Sequence, residues 1–311
     1  MADAKLTALT EVSVPAIDDL LYIVDVSDTT DDAAGSSRKV TISRLAGIIG
    51  YPEQGRLTTE SGVAISTGNR TAQSTIYYTP HNGNQLAVYD GTRWRLYSFT
   101  EISIALSGLT TDKNYDVFVY DNAGTLTLEL SAAWTNDTTR ADALALQDGV
   151  YVKSGTTTRR YLGTIRTTNT TTTEDSATKR FVWNAYNRSI RPLFVEETTS
   201  SWTYSTTTWR RLNNSAANQV NVVAGLAVSP VRLFACGAAS CTSIAGAPSV
   251  SIGRDSTSDP ADNLVGINCN LAVIDITAPS YRQMYEMVPL GYHYYAALEI
   301  AANAGTTTFR G

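Results

Sequence analysis

The chain has 311 residues, of which 43% are hydrophobic and 17% charged, with a formal net charge of -5 and a pI near 5.1. The length allows two or three domains. The acidic balance excludes nucleic acid as a main partner, because duplex binding needs a basic footprint.

The charged share falls well below the usual ~25%, and Thr and Ser stand in for the missing charge. Thr is β-branched and suits the solvent face of a strand. No apolar run approaches the ~18 residues of a membrane helix, so no membrane insertion is expected. The opening MADAKLTALTEVSVPAIDD lacks the charged-then-apolar plan of a signal peptide, which predicts synthesis in a cytoplasm. Cys236, Cys241 and Cys269 leave an odd thiol and read as small buried hydrophobes.

Residues 1–50 read as a unit. LLYIVDV (20–26) predicts a strand and SRKVTI (37–42) its partner, across the polar SDTTDDAAGS. SRLAGII (43–49), capped by Thr41 or Ser43, predicts a short helix before Gly50. Fifty residues built this way can scarcely hold a core alone. Leu20, Leu21, Ile23, Leu45, Ile48 and Ile49 exceed what the unit can cover, so the segment is expected to dock on another surface.

Residues 51–170 predict a β-rich spacer region, a small sandwich or barrel. Two or three strands end at Phe99, and others follow near 101–106, 114–120, 125–131, 149–153 and 158–167. In NYDVFVYDNAGTLTLELS (114–131), Tyr115, Val117 and Val119 point one way and Phe118 and Tyr120 the other. Asp121, Asn122 and Gly124 turn the chain, and Leu126, Leu128 and Leu130 return along one face, which predicts a β-hairpin. The pattern recurs around Asp90-Gly91 and Ser154-Gly155. TTRADALALQDG (138–149) places Ala141, Leu144 and Ala145 at helical spacing and predicts a helical turn or two.

Residues 171–192 read as a connector. The Thr/Asn run that opens at 167 is low in complexity and loop-like. Beyond it, Asp175 or Ser176 can cap a helix, and Phe181, Trp183, Ala185 and Tyr186 form a broad aromatic face. A helix and an extended linker are both open here, and a helix or bent connector packed between domains or subunits is the favoured reading.

Residues 193–311 hold strand candidates at 193–197, 201–205, 208–213, 218–224, 231–236, 248–253, 269–276, 290–300 and 306–310. Their spacing near ten residues predicts a sandwich or jelly roll, and the chain as a whole is expected to be all-β. Three loops follow from this reading: 237–247, 254–264 and 278–289. The third has the best contact chemistry, with Tyr281 and Tyr285 as ring faces, Arg282 as a charged donor and Gln283 as a polar amide. In the competing reading, Tyr281, Met284 and Met287 close the core or pack against another subunit.

Chemistry-bearing groups are sparse. His81 lies in a turn and His293 alternates with Tyr292 and Tyr294, which makes neither a zinc site nor a nucleophile–base pair. Glu196 and Glu197 are strand neighbours that point to opposite faces, and Glu129 with Glu299, or Glu101 with Asp116, meet only if the fold brings them together. The Asp25, Asp28, Asp31, Asp32 set and the Asp255, Asp259, Asp262 set miss the EF-hand spacing and read as solvated turns. No cofactor, metal or enzymatic role is expected.

LTALTEVSVPAIDDLLYIVDVSDTTDD followed by SRKVTISRLAGIIG resembles the N-terminal segments of bacteriophage fibre and virion appendage proteins, over about a sixth of the chain. RFVWNAYNR (180–188) is similar to connector stretches in such fibres. VPLGYHYYAALEIAANAGTTTFRG (288–311) is similar to the last strands of trimeric jelly-roll tips. The resemblance implies a virion protein, docked through its first fifty residues on other capsid or tail proteins, with the C-terminal domain facing a host glycan or outer-membrane component. A homotrimer is expected, since partner chains around a threefold axis would cover the N-terminal unit. The rivals are a capsid decoration or spacer without a receptor, a capsular depolymerase tailspike, which would need ~20-residue β-helix repeats that are not found here, and a bacterial surface adhesin.

Overall fold

The computed structural model describes residues 20–41, 50–242, 247–261, 265–267 and 277–311. The strands in chain order begin with β1 Leu20–Asp25, β2 Ser36–Thr41, β3 Gly55–Thr58, β4 Arg70–Gln73, β5 Thr75–Pro80, β6 Gln85–Tyr89, β7 Trp94–Ser98 and β8 Ile102–Ala105. Next are β9 Asn114–Asn122, β10 Thr125–Leu130, β11 Leu144–Gln147, β12 Val150–Lys153, β13 Thr156–Asn169, β14 Thr172–Asp175, β15 Lys179–Arg180 and β16 Val182–Asn184. The last are β17 Trp202–Tyr204, β18 Arg210–Arg211, β19 Gln219–Ala224, β20 Pro230–Cys241, β21 Ser249–Arg254, β22 Val265–Ile267, β23 Ala278–Met287, β24 Gly291–Ile300 and β25 Thr307–Arg310. The fold is all-β, and no helix of seven or more residues occurs among the described residues.

Strands β9 and β13 lie side by side in the largest sheet, which runs β10-β9-β13-β14-β15-β19-β24-β18 with β4, β11, β12, β16 and β21 attached. Alternation sends the two faces of β9 into two cores. Tyr115, Val117 and Val119 join Leu57, Ile76, Tyr78, Leu86, Val88, Phe99 and Ile165 on one side. Phe118 joins Tyr161, Trp183, Val220, Val222, Met284 and Tyr295 on the other. The hairpins anticipated at Asp90-Gly91, Asn122-Gly124 and Ser154-Gly155 are the β6–β7, β9–β10 and β12–β13 pairs.

Two readings are corrected. Leu144 and Ala145 lie in strand β11, paired with β12, where the sequence predicts a helical turn. The backbone hydrogen bonds that a helix would use internally go to Lys153 and its neighbours instead. The connector, left open between a helix and an extended linker, is extended over β15 and β16. Phe181 and Trp183 alternate into the structure, and β16 pairs along β13 with Gly163 opposite Asn184. That pairing needs a glycine, because a Cβ at Gly163 would lie 2.1 Å from the Trp183 carbonyl oxygen. The predicted helix at 43–49 and strand at 269–276 lie outside the described residues. Residues 193–197 form no ladder.

The RFVWNAYNR segment ties the parts together. The Asn184 side chain accepts from Leu57 N at 2.6 Å and donates to Leu57 O at 3.0 Å, completing the edge of β3 as another strand would. Trp183 Nε1 donates to Ser229 Oγ, and its ring stacks on Tyr161 at 6.4 Å. Strand β15 pairs with β19 in parallel, so residues on both sides of position 193 share one sheet and one core.

Replacing Asn184 with Ala would leave two buried backbone groups of Leu57 unpaired. The expected cost is about 2–4 kcal/mol in urea unfolding. A loss below about 1 kcal/mol would mean that water takes over the amide's role.

Candidate functional site

Most ionisable groups are committed to local partners. Buried Asp116 pairs with Arg140 at 2.7 Å and accepts from Thr164 Oγ1 at 2.6 Å. Burial raises its pKa, and the Arg140 charge opposes that rise. The Arg140 guanidinium lies 4.5 Å over Trp134 and donates to the Gly225 carbonyl. Glu299 accepts from Trp202 Nε1 at 2.6 Å and Arg210 Nε at 2.7 Å. Glu129 is held by Lys153 and Arg159, and Glu101 by Ser61, Thr79 and the Gly62 amide. The carboxylates of Glu129 and Glu299, or of Glu101 and Asp116, thus have separate partner sets.

His293 Nδ1 lies 2.6 Å from Asp255 Oδ2, and Asp255 Oδ1 accepts from Tyr294 N. Desolvation lowers the His293 pKa, but the Asp255 carboxylate outweighs it and the net shift is upward. The Asp25–Asp32 loop is a set of turn hydrogen bonds and ion pairs. Asp28 accepts from Thr30 and Ser36 and pairs with Arg38, which also pairs with Asp31. Among the described residues no three His, Cys, Asp or Glu side chains are grouped to hold a metal ion.

Two surfaces stand out because their apolar groups are uncovered. The first is the β1–β2 hairpin. Leu20, Tyr22 and Val24 lie on one face and Leu21 and Ile23 on the other, and all five are exposed, Tyr22 by 73%. Leu45, Ile48 and Ile49, which the sequence groups with them, lie outside the described residues.

The second surface is the outer face of the five-stranded sheet β17-β25-β20-β23-β22. Residues 278–289 are expected as a loop, yet Ala278–Met287 is a strand that pairs with β20 along its length. Pro279 sits opposite Ala238. Alternation then splits the candidate set. Tyr281, Gln283 and Tyr285 face outward, while Arg282 points to the other face with buried Ser280 and Met284. Burial lowers the Arg282 pKa.

The register adds residues that the sequence reading passes over. Arg232 lies opposite Tyr285, Phe234 opposite Gln283, and Cys236 opposite Tyr281. Phe234 is 59% exposed and Tyr285 57% exposed. Phe234 stacks on Tyr281 at 5.6 Å, Arg232 lies 5.4 Å over the Tyr285 ring, and its Nη2 donates to Gln283 Oε1 at 3.1 Å. The alternation in VRLFAC is visible in sequence, but its partner strand is not, so Phe234 could not be placed beside Tyr281.

Comparison with known proteins returned no matching family model, no matching curated protein and no matching solved structure.

Glu53 is the most perturbed acid near the connector. Burial pushes its pKa from 4.5 up to about 7, against the opposing hydrogen bond from Tyr78 and the Arg160 charge. Asn187 Nδ2 also donates to Glu53 Oε2 at 2.9 Å. A raised folded-state pKa means that the native form holds the proton more tightly. The stability this group contributes is therefore full below about pH 4.5 and is lost as pH rises through about 7. Glu53→Gln is expected to flatten that slope, gaining up to about 3 kcal/mol on wild type between pH 4.5 and 8. Urea unfolding across that range measures it, and a parallel pair of curves would refute the assignment.

Proposed function

We propose that this chain is a structural attachment protein of a bacteriophage particle, a homotrimeric fibre without enzymatic activity. Its N-terminal segment docks on other virion proteins, and its C-terminal part meets a host surface glycan or outer-membrane component. The observation that carries this reading is the pair of uncovered apolar surfaces on a molecule many of whose charges are tied into local pairs. A two-stranded ribbon with apolar side chains on both faces is marginal alone, so it suits insertion between partner surfaces. The outer face of β20 and β23 offers flat rings beside a guanidinium and an amide. Rings of this kind stack on the C–H faces of a sugar, and the polar groups bond its hydroxyls. The resemblance of the N-terminal segment to phage appendage proteins supports the same assignment.

Single contacts of this kind are weak. Three copies per fibre and many fibres per particle raise the effective concentration of each further contact, which converts weak binding into attachment.

Mass photometry is expected to give about 100 kDa, three times the 33.5 kDa chain, and a persistent monomer at micromolar concentration would remove the trimer. Deleting residues 1–50 should leave a folded protein that no longer incorporates into particles. The double variant Phe234→Ala, Tyr285→Ala removes exposed rings, so its melting temperature should hold. Adsorption to host cells should fall by roughly tenfold or more. Unchanged adsorption would take the outer face out of recognition, and a lost trimer would make it a subunit contact.

A further inference from the structure

We propose that His293 works as a pH-operated clamp: its imidazolium joins the loop after β21 to the β23–β24 turn, and loss of its proton frees both. The residue is buried, with 6% exposed. Nδ1 lies 2.6 Å from Asp255 Oδ2, and Nε2 lies 3.3 Å from the Leu290 carbonyl oxygen. A carboxylate and a carbonyl only accept. An imidazolium donates from both nitrogens, whereas a neutral ring has one N–H. The neutral ring must therefore turn a lone pair on one of the two oxygens, and the uncharged carbonyl repels it less. Deprotonation thus unpairs Leu290 and reduces the ion pair at Asp255 to one neutral-donor hydrogen bond.

Asp255 is drawn into this arrangement. Its φ is 52°, a left-handed conformation uncommon outside glycine, and its Oδ1 accepts from Tyr294 N at 3.0 Å. Its side chain is 41% exposed, so water can reach the carboxylate when the imidazolium charge is lost.

The groups around the ring leave Asp255 in control. Arg254 at the end of β21 opposes the positive charge, but it is paired with Glu286 of β23 at 2.6 Å, and Glu286 also accepts from Tyr295 Oη. Strand β19 places Val222 opposite His293. Asp137, whose carbonyl accepts from Tyr292 N, has its carboxylate on Arg166. Burial lowers the His293 pKa, and the hydrogen bond and charge of Asp255 more than reverse it, so the net shift from 6.5 is upward. A raised folded-state pKa makes the clamp complete below about pH 6.5 and lost as pH rises through the higher folded-state value. Both clamped segments lead to the outer sheet. β23 ends at Met287, just before the turn, and the loop leads on towards β22, which pairs with β23. The clamp does not depend on what that sheet binds.

Histidine-selective ¹³C NMR of the full chain, from about pH 5 to about 9, follows its two histidines, with His81→Gln assigning the signals. His293 should titrate above about 6.5. Hydrogen exchange, corrected for its intrinsic pH dependence, should show protection over 255–261 and at Leu290 falling by about threefold or more from about pH 6 to about 9, with β9 and β13 unchanged. Asp255→Asn should lower the His293 midpoint and remove the pH dependence of that protection, and His293→Gln should remove it as well. If His293→Gln does not fold, Asp255→Asn decides. A His293 midpoint outside about 6.5–9, local protection that does not change with pH, or an Asp255→Asn variant with the midpoint in place would each overturn the proposal.

Discussion

The fold depends on one long strand that is buried on both faces. β13 runs fourteen residues, pairs with β9 on one edge, and meets β12, β16 and β14 in turn on the other. Arg160 and Ile165 face one core, and Tyr161, Thr164 and Arg166 face the other. A strand that carries polar groups into two cores must satisfy each of them, and each satisfaction fixes a partner from elsewhere in the chain. Arg160 holds the 51–52 segment and β6. Thr164 holds Asp116, and through it Arg140. Arg166 bonds Asn114 and Asp137 and lies 3.7 Å over the Tyr292 ring of β24. These bonds do more to fix which segments meet than to add net stability, because desolvation offsets much of what a buried charge pair gains. Removing one partner leaves the other charge buried, which is the larger cost.

The same economy of charge explains the surface. With few ionisable side chains, many of them tied into buried or half-buried pairs, Thr and Ser solvate most of the exterior. Uncovered apolar groups then stand out where they occur. On the β1–β2 hairpin they occupy both faces, and the loop at its tip is ordered by Asp28, Asp31 and Arg38. The tip is polar and hydrogen-bonded, and the strands behind it carry the exposed apolar side chains. On β20 and β23 the uncovered groups are confined to one face, the other being buried against Met284 and its neighbours. That arrangement suits an open platform.

Local alternation made much of this legible in the sequence. Tyr115, Val117 and Val119 against Phe118 read correctly as a two-faced strand, and the Asp90-Gly91 and Ser154-Gly155 turns fell where the backbone reverses. The failures share a physical origin. Leu144 and Ala145, and the aromatic residues of 181–186, satisfy a helical spacing and a strand spacing at once over so short a window, and the choice was made by β12 and β13 offering ladder bonds. In β23, Pro279 and the polar Arg282, Gln283 and Glu286 hid an alternation in which only Ser280 and Met284 are deeply buried. The pairings of β4 with β14 and of β15 with β19 join residues far apart in the chain, and nothing in a single sequence encodes them.

Period-two alternation also separates the work of the outer face from the work of the core. On β23 the residues that hold the fold, Ser280 and Met284, interleave with Tyr281, Gln283 and Tyr285, which face out. On β20 the half-buried Leu233 and buried Ala235 interleave with Arg232, Phe234 and Cys236 in the same way. An outward side chain can change without altering what its neighbours bury, so a contact surface here can be rebuilt at small cost to stability. The limit is register. A one-residue slip of β23 against β20 would bring Tyr281 and Tyr285 inward and expose Met284. The full ten-residue ladder between these strands therefore fixes the outer face as β13 fixes the fold, because it keeps the rings of Phe234, Tyr281 and Tyr285 together on one face.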